Sequence, residues 1–560
     1  MISGTMTKLG KVLFTLVVLI LAGFGIYRWL EKSEAPSGKF TAAGDSSSEE
    51  ESPADSFSFV VPGPAPKLGA AQPFRMNAET VVLNLSEYAG YAGLILANNG
   101  LEPNEESWFT KNGGFKLKIT LSEEDSWDDL QQGRIAATAT TVDVLANYGR
   151  QWQTTVPMQI AWSRGATGII VKKEIRRIND LKGKLVATAP FTEAEFFIRY
   201  LAQEAGLPVV RLDGIDSAPS AEAINLVFLK DAFEAGDAFV ADLESGGAQL
   251  AGCVTWAPKT TEIVEGAEGG AHQLIDNRNL LIVADILLFN KAFAGEHPEI
   301  VQKIVEGTLL KNQEIRANPD AHAAALAKAF TAYEWTAEDA KEELSHVHLS
   351  NLPENLSFFR GSISEAGSFA SVYQSANLAY GADLLPRPVD SSYFANLAAL
   401  EAIQAAGQLA SQVASIEPVK TSQQEPLEND PLLTKDIRFF FLPNDYRLDM
   451  ANPENARLLG DVNRLLGVSP GSVVLLRGHV DDARRREFLN QGGEALVQNL
   501  ALKAIELSTQ RAAEVKAQIQ KLYPVLDPSR IETVGRGWEE PAGTDSDLNR
   551  RVEVQWFTLE

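Results

Sequence analysis

Apolar and polar positions change their pattern several times along this chain. Residues 12–27 form an unbroken uncharged run, whereas residues 33–75 show no periodicity. From about residue 78 to 400, short β-rich runs alternate with segments that are apolar at every third or fourth position. A second such pattern begins near residue 432. We therefore predict five regions: an anchor (1–32), a tether (33–75), a large domain (76–416), a linker (417–431) and a C-terminal domain (432–560).

The N-terminal apolar run approaches the length of a membrane span. A spanning helix needs about 20 apolar residues, and the run reaches this length if Arg28 extends toward the interface. Tyr27 and Trp29 are typical interface anchors, and Lys8 and Lys11 before the run favour a cytoplasmic N-terminus. A cleaved signal peptide is the alternative, but "FTAAGDSS" is a poor and distant cleavage site. We predict a single-pass anchor in a bacterial inner membrane, with the bulk of the chain in the periplasm.

The tether and the linker are identified by composition. "GDSSSEEESPADS" is rich in serine and acidic residues, "VPGPAPKLGAAQP" is rich in proline and glycine, and "EPVKTSQQEPLENDP" is polar throughout. Such segments bury too little apolar surface to offset the entropy of ordering the chain. The Ala-rich stretch before the linker, residues 394–416, has the pattern of an amphipathic helix.

The large domain reads as an α/β fold. The runs "TVVLNLS", "FKLKITL", "RIAATATT" and "ATGIIVKK" predict strands, and "GYAGLILANNG", "SWDDLQQG" and "EAEFFIRYLAQEAG" predict the helices between them. This alternation indicates a mostly parallel sheet with helices on both faces. Ligands of such sheets bind beyond the carboxyl ends of the strands.

The order of these segments resembles the periplasmic substrate-binding proteins of the nitrate/sulfonate/taurine and thiamine-precursor type. The matching pieces are "NGLEPNE", "DDLQQGRIAATATT", "INDLKGKLVATAPFTEAEFF", "GCVTWAPKTTEI", "HPEIVQKIVEG" and "NPDAHAAALAKAF", spread over residues 78–400. The resemblance implies a two-lobed clamp that holds a small-molecule solute in its cleft, with an ABC-type permease as a partner. The stretch "KDAFEAGDAFVADLESGGAQLAG" is extra relative to the family, which leaves the shape of the second lobe open.

Polar residues where the predicted strands end are candidates to line the cleft. Hydroxyls and helix N-terminal amides suit a small polar or anionic solute, and a tryptophan could cover an apolar part of it. Threonines at such positions also serve as helix caps, and a tryptophan there also serves in packing. The candidates are Ser86, Tyr88, Thr140, Thr141, Thr192, Thr255 and Trp256.

The net charge and the small numbers of histidines and cysteines argue against nucleic-acid binding and a metal site. A net charge of −24 argues against a nucleic-acid partner, because phosphate binding needs clustered basic residues. The only basic run, residues 484–486, reads as a solvated surface. His346 and His348 could share one face of a strand, but six histidines and one cysteine make a metal site a weak alternative. Neither a serine nucleophile elbow nor a phosphate-binding loop occurs. We expect no cofactor, no metal and no enzymatic activity.

The C-terminal domain has a βαβαββ pattern and resembles the OmpA-like peptidoglycan-binding domain. "GHVD" matches the family's Gly-His-Thr-Asp, and "LSTQRAAEV" matches its Leu-Ser-x-x-Arg-Ala helix. "VGRGWEEP" matches its Gly-x-Gly-x-x-x-Pro, and "NRRVEV" matches its closing Asn-Arg-Arg strand. The four elements occur in the family's order.

The resemblance implies that Asp481 and Arg511 bind the diaminopimelate of peptidoglycan, with Arg550 as a second basic contact. A carboxylate and a guanidinium facing each other suit the ammonium and the carboxylate of that residue. A structural ion pair between Asp481 and Arg511 is the alternative. Three departures stand out: Val480 replaces a threonine, Ala504 replaces a common asparagine, and the insertion "ARRREFLNQGGEALVQNLAL" separates Asp481 from Arg511.

Taken together, the segments predict an inner-membrane-anchored envelope protein that captures a solute for transport or sensing and grips peptidoglycan. The alternative is a structural or assembly component in which the clamp is a scaffold for protein contacts. An enzyme acting on a thiamine-type precursor is a weaker third reading.

Overall fold

The computed structural model describes residues 57–558, apart from 66, 123–126, 247–248, 331–334, 362–366, 386–387, 417–430, 443–444 and 545. The predicted anchor, most of the predicted tether and nearly all of the predicted linker lie outside the described residues. Within the described ranges, none of the helices is both long and apolar enough to cross a bilayer.

The described residues form strands and α-helices in the alternation that the sequence predicts. The strands are β1 Thr80–Leu85, β2 Lys116–Leu121, β3 Ala137–Thr141, β4 Thr154–Ser163, β5 Thr167–Lys172, β6 Leu185–Thr188, β7 Val209–Arg211, β8 Ile224–Phe228, β9 Leu250–Trp256, β10 Ala271–Asp276, β11 Ala284–Asn290, β12 Val347–Leu349, β13 Leu433–Ile437, β14 Val473–Gly478, β15 Ile531–Gly535 and β16 Val552–Phe557. The helices are α1 Ala92–Ala97, α2 Trp108–Gly113, α3 Trp127–Gln131, α4 Val142–Tyr148, α5 Glu193–Glu204, α6 Ala232–Glu244, α7 Lys259–Gly266, α8 Lys291–Glu296, α9 Pro298–Ala317, α10 Asp320–Ala329, α11 Ala337–Ser345, α12 Leu352–Arg360, α13 Phe369–Leu384, α14 Ala398–Ala405, α15 Pro453–Val468, α16 Arg485–Leu522 and α17 Ser546–Asn549.

The large domain has two lobes, each built on a six-stranded mixed sheet. The first sheet has the order β12-β4-β11-β3-β1-β2, and the second has the order β10-β5-β9-β6-β8-β7. The chain passes between the lobes after β4 and returns through β11, which pairs antiparallel with both β3 and β4. This arrangement confirms the predicted two-lobed α/β architecture. The prediction of a mostly parallel sheet is wrong, because β4, β5, β10, β11 and β12 pair antiparallel with their neighbours.

The stretch that looked extra in the sequence forms a regular connection. It supplies α6, which begins at the N-cap Asp231 and lies against β9. Strand β6 pairs in parallel with β8 and with β9, so the stretch forms one βαβ unit of the second lobe. The second lobe therefore keeps an ordinary open-sheet topology.

Helix α13 contacts both lobes, because it packs against α4 of the first lobe and α5 of the second. Its Tyr380 stacks on Phe191 with ring centroids 5.9 Å apart, and its hydroxyl donates to the Thr192 carbonyl at 3.3 Å. Helix α14 is shorter than the predicted helix 394–416, and Gly407 follows it with a positive φ of 67°.

The C-terminal domain has a four-stranded sheet in the order β13-β16-β14-β15. Asn452 caps α15 by accepting from the Glu454 amide, and Pro453 fills the first helical turn. Strand β13 covers Leu433–Ile437 and pairs antiparallel with β16 from Leu433 onward.

The C-terminal domain packs against the second lobe through direct contacts. Asn179 and Thr434 exchange two hydrogen bonds of 2.9 and 3.0 Å, and the Ile178 amide donates to the Leu432 carbonyl. Arg464 of α15 forms an ion pair with Glu204 at the end of α5, and Glu204 is fully buried. One cluster of buried apolar side chains runs continuously through both parts.

Candidate functional site

The cleft is formed where β1, β3 and β11 of the first lobe meet α5 and β9 of the second. Ser86 and Tyr88 follow β1, and Thr141 ends β3. Thr192 is the N-cap of α5, and Trp256 ends β9. The structure thus places the predicted candidates at the ends of the strands, where the topology of the sheets puts a ligand site.

Tyr88 and Asp285 form the first polar contact of the cleft. The Tyr88 hydroxyl donates to Asp285 Oδ2 at 3.4 Å, and Asp285 is 2% exposed. Burial raises the pKa of Asp285 well above its usual value, the charge of Glu193 raises it further, and the Tyr88 hydrogen bond offsets part of the shift. Burial and the Asp285 carboxylate also raise the pKa of Tyr88.

Asp143 is the second carboxylate of the first lobe and lies in the first turn of α4. Its side chain is fully buried, and neither carboxylate oxygen forms a hydrogen bond with a described residue. Burial, reinforced by the charge of Glu193, raises the pKa of Asp143 to about 8. The Thr141 hydroxyl lies near enough to oppose this shift, but without the geometry of a hydrogen bond.

Glu193 brings a third carboxylate from the second lobe, at the first position of α5. Burial raises its pKa, and the Trp256 indole N–H opposes that shift. The indole ring packs edge-on against Phe233 with centroids 5.4 Å apart. Asp285 is paired in register with Thr141, two residues before Asp143, and the Asn147 side chain of α4 donates to the Phe191 carbonyl at 3.1 Å, two residues before Glu193. The three carboxylates therefore lie on adjoining segments, and the charge of Glu193 raises the pKa values of the other two.

Thr255 does not join these residues. Its hydroxyl donates to the Ala232 carbonyl at 2.7 Å and is fully buried between β9 and α6. Successive side chains of a strand point to opposite faces, so Trp256 and Thr255 cannot both face the cleft. The same alternation separates Thr140 from Thr141 on β3, and the Thr192 hydroxyl donates to the Ala189 carbonyl at 3.0 Å.

The three carboxylates were missed by sequence reasoning, although two adjoin predicted residues. Glu193 follows Thr192 directly, and Asp143 lies two residues after Thr141. Asp285 is a single charge inside the apolar strand "ADILLFN". A single charge inside an otherwise apolar predicted strand was the signal that could have identified Asp285, since an unpaired charge is costly to bury.

The second site lies at one edge of the C-terminal domain, where glycines allow a helix to approach two strands. Gly478 ends β14 and Gly535 ends β15, and the two are paired in register. A side chain on Gly478 would collide with the Ser508 carbonyl, and one on Gly535 would collide with Thr509, both on α16. The glycines therefore bring α16, with Arg511, close to the strand that leads to Asp481.

Arg511 is held in a half-buried position. Its guanidinium lies over the Phe441 ring at 4.8 Å, and Nη2 donates to the Asp445 carbonyl at 3.3 Å. Burial lowers its pKa, and the nearby charge of Arg550 lowers it further, so the structure brings these two predicted arginines together. Nε forms no hydrogen bond with any described residue.

Asp481 lies in the turn after β14. Its carboxylate accepts from the Ala483 amide at 2.9 Å, and the side chain is half-buried. Val480 is 9% exposed and its amide donates to the Gly537 carbonyl, so the residue that departs from the family pattern packs inward.

His479 belongs to a buried network rather than to a binding surface. It is 1% exposed and lies 3.5 Å from Glu553. His479, Glu540 and Glu553 are close enough together to hold a metal ion, but Arg477 pairs with both glutamates at 2.7 and 3.0 Å. Although burial opposes it, this network lowers the pKa of Glu553 to about 2. Arg477 therefore already balances the charge of the two glutamates.

The insertion between Asp481 and Arg511 is helical. It forms the first part of α16, which is broken at Gly492 and Gly493. Phe488 of this part stacks with Trp538 at 6.4 Å, which places the insertion over the loop after β15.

Comparison with known proteins identifies a family for the C-terminal domain. Residues 440–555 match the OmpA family. Among solved structures, the chain is similar to the periplasmic aliphatic sulphonate binding protein SsuA from Escherichia coli, at 17% identity and a TM-score of 0.41, over 56% of this chain and 97% of that one. It is similar to the alkanesulfonate-binding protein SsuA from Xanthomonas axonopodis pv. citri bound to MOPS, at 16% identity and a TM-score of 0.40, over 57% and 99%.

A ligand-binding component of an ABC-type import system from Staphylococcus aureus, with zinc bound, is 11% identical with a TM-score of 0.40, over 57% of this chain and 98% of that one. None of the curated proteins matches the sequence. At these identities, the ligands of the solved proteins do not carry over to this chain. Residues 440–555 are an OmpA-family domain, as the motifs of the C-terminal region predict.

Proposed function

We propose that this chain is a non-enzymatic protein of the bacterial envelope that binds a small solute between its lobes and attaches non-covalently to peptidoglycan. The observation that carries the proposal is the union, in one chain, of an OmpA-family domain with a two-lobed cleft lined by buried polar groups. The OmpA-family domain implies attachment to the wall, and the two-lobed cleft implies a ligand.

The wall-binding part of the proposal rests on the edge that carries Asp481, Arg511 and Arg550. The Arg511 guanidinium is fixed on one side by Phe441 and the Asp445 carbonyl, which limits the entropy lost when it binds a carboxylate. A stem-peptide diaminopimelate would place its carboxylate on the arginines and its ammonium on Asp481.

Retention of the full-length protein on purified peptidoglycan tests this assignment. Arg511→Ala removes a charge-assisted contact of about 1.5–3 kcal/mol, so we expect binding to weaken about tenfold or more. Arg457→Ala is the matched control, because Arg457 is exposed and forms only surface ion pairs on α15. Unchanged retention of both Arg511→Ala and Asp481→Ala would refute the site.

A further part of the proposal is that residues 1–32 anchor the protein in the inner membrane. There, a captured solute could be presented to an ABC-type permease or reported to another membrane partner. The two-lobed shape supports this use, because closure of two lobes around a ligand removes it from water.

Differential scanning of the full-length protein with small solutes distinguishes this function from a protein-interaction scaffold. A ligand that binds only the folded state raises the melting temperature by mass action. We expect a concentration-dependent rise with at least one polar solute. A flat response across anions, cations and neutral solutes would favour the scaffold, even if retention on the wall is intact.

A further inference from the structure

The charge of the cleft identifies the class of solute more narrowly than the sequence does. Asp143 and Asp285 come from the first lobe and Glu193 comes from the second, so closure of the cleft gathers three carboxylates. The ion pairs of the described residues include none of the three. A buried carboxylate without a positive partner is unfavourable, and three of them together are more so.

Neighbouring basic residues of the second lobe have partners elsewhere. Arg199 pairs with Glu195 at 2.7 Å, and Arg211 lies 3.4 Å from the same carboxylate. Arg211 also lies over the rings of Phe191 and Phe228 at 4.6 Å each. Each guanidinium keeps one buried N–H without a hydrogen bond to a described residue, but both groups lie at Glu195. An anionic solute would also meet the three carboxylates, and like charges repel strongly in a buried site.

Unpartnered polar groups provide an observation that is independent of the acidic residues. The Thr141 hydroxyl is buried, with the residue 7% exposed, and it forms no hydrogen bond with a described residue. It lies beside Asp143, whose two oxygens also lack donors. The Trp256 indole N–H can only donate, and it lies toward Glu193. The Thr141 oxygen and the two Asp143 oxygens are acceptors without a donor among the described residues, so a solute rich in N–H donors fits them.

Aromatic side chains border the carboxylates. Tyr88 is half-buried beside Asp285, and Trp256 is half-buried beside Glu193. Aromatic rings attract cations through their negative faces, most strongly when water is excluded. The rings also provide a flat surface for the apolar part of a solute.

The arrangement suits an organic cation better than a metal ion. Within the described residues, the only acidic or histidine cluster compact enough for a metal is His479, Glu540 and Glu553, at the C-terminal domain. The oxygens of Asp143, Asp285 and Glu193 are therefore too widely spaced to hold one ion together, and a larger ammonium or guanidinium group can reach across them.

We infer that the cleft binds a small organic cation, with an ammonium, guanidinium or quaternary ammonium group between Asp143, Asp285 and Glu193 and its apolar part against Tyr88 and Trp256. This inference rests on the solute-binding part of the proposed function and names the substrate class of that site. It replaces the wider expectation of a polar or anionic solute.

Calorimetric titration and thermal melting of the full-length protein with two sets of probes test the inference. The cations are putrescine, agmatine, arginine, lysine and choline, and the anions are isethionate, propanesulfonate and nitrate. We expect at least one cation to raise the melting temperature by a few degrees and the anions to leave it unchanged. We also expect Glu193→Gln and Asp143→Asn each to weaken binding of that cation at least tenfold.

Glu244→Gln is the matched control, because Glu244 is an exposed glutamate at the end of α6 in the same lobe. It should bind the cation as the parent does. Binding of an anion that is retained or improved in Glu193→Gln would overturn the cationic class and leave solute binding intact. No response to any probe would overturn the inference together with the solute-binding proposal, whereas retention on peptidoglycan would still report on the wall-binding part.

Discussion

Helix α5 carries a glutamate at each end, and the two ends meet different surroundings. Glu193, at the N-terminal end, faces Asp143 and Asp285. Glu204, at the C-terminal end, is fully buried and pairs with Arg464, with Lys435 at 3.9 Å. The chain thus neutralises the carboxylate that joins two domains, whereas the carboxylate of the cleft forms no ion pair with the residues that the structure describes. A buried charge that has an oppositely charged partner indicates a structural role, whereas a buried charge that lacks such a partner indicates a site for a ligand.

The largest effect should come from breaking the paired end. Arg464→Ala leaves Glu204 buried without its main partner, which costs about 3–5 kcal/mol for such pairs. We expect a clear fall in the denaturant midpoint of the full-length protein. Adding Glu204→Gln should recover much of the loss, because the uncompensated charge is then removed. If Arg464→Ala has no effect on the midpoint, the two ends do not differ as described.

Neutralising Asp143 of α4, which lies near the Glu193 end of α5, should instead raise the stability. Asp143→Asn removes a carboxylate that burial keeps near a pKa of about 8. At pH 8 we expect the variant to be more stable than the parent by roughly 1–3 kcal/mol, measured as a higher melting temperature without added solute. A loss of stability would show that Asp143 is structural rather than functional.

The stability of the protein should fall as the pH rises, because the cleft carboxylates have raised pKa values. The pKa of Asp143 in the folded chain is raised to about 8 from its ordinary value near 4. Its stabilising contribution is therefore complete below about pH 4 and is lost as the pH rises toward 8. Melting curves from pH 4 to 8 should show this decline in the parent and a shallower decline in Asp143→Asn, since Asp285 and Glu193 shift the same way.

At the wall-binding edge, Arg550→Ala should have a smaller effect than Arg511→Ala. Arg550 is exposed, so its contact with a carboxylate is screened by water, whereas Arg511 is half-buried. We expect about a threefold loss of retention on peptidoglycan. A loss as large as that of Arg511→Ala would make the two arginines equal partners.

Thr255→Val should leave the affinity for a solute unchanged, because the hydroxyl is bound to the Ala232 carbonyl on the α6 side of β9. We expect only a loss of about 1 kcal/mol in stability. Trp256→Ala, one residue further, should weaken binding of the cation. Titration of both variants with the same probe compares the two faces of this strand directly.

Local pattern was sufficient where a function depends on a contiguous motif. The Gly-His-Val-Asp stretch and the Leu-Ser-x-x-Arg helix identify the C-terminal domain, and residues 440–555 match the OmpA family. The roles of Asp481, Arg511 and Arg550 stay predictions. The alternation of strands and helices also predicts the α/β class, whereas the two lobes follow from the family resemblance.

The cleft could not be derived in the same way, since its charge is assembled from distant parts of the chain. Asp285 reaches Thr141 only because β11 pairs with β3, and Glu193 arrives from the other lobe. Thr255 was chosen together with Trp256, although a strand sends neighbouring side chains to opposite faces. The predicted helix 394–416 is longer than α14, because the turn at Gly407 follows the helix.

The contacts between α15 and α5 also have a mechanical meaning. The second lobe and the C-terminal domain share an apolar core, two hydrogen bonds between Asn179 and Thr434, and the Arg464–Glu204 ion pair. If peptidoglycan holds the C-terminal domain, these contacts also fix the second lobe to the cell wall. Any closure of the cleft is then a movement of the first lobe relative to the wall.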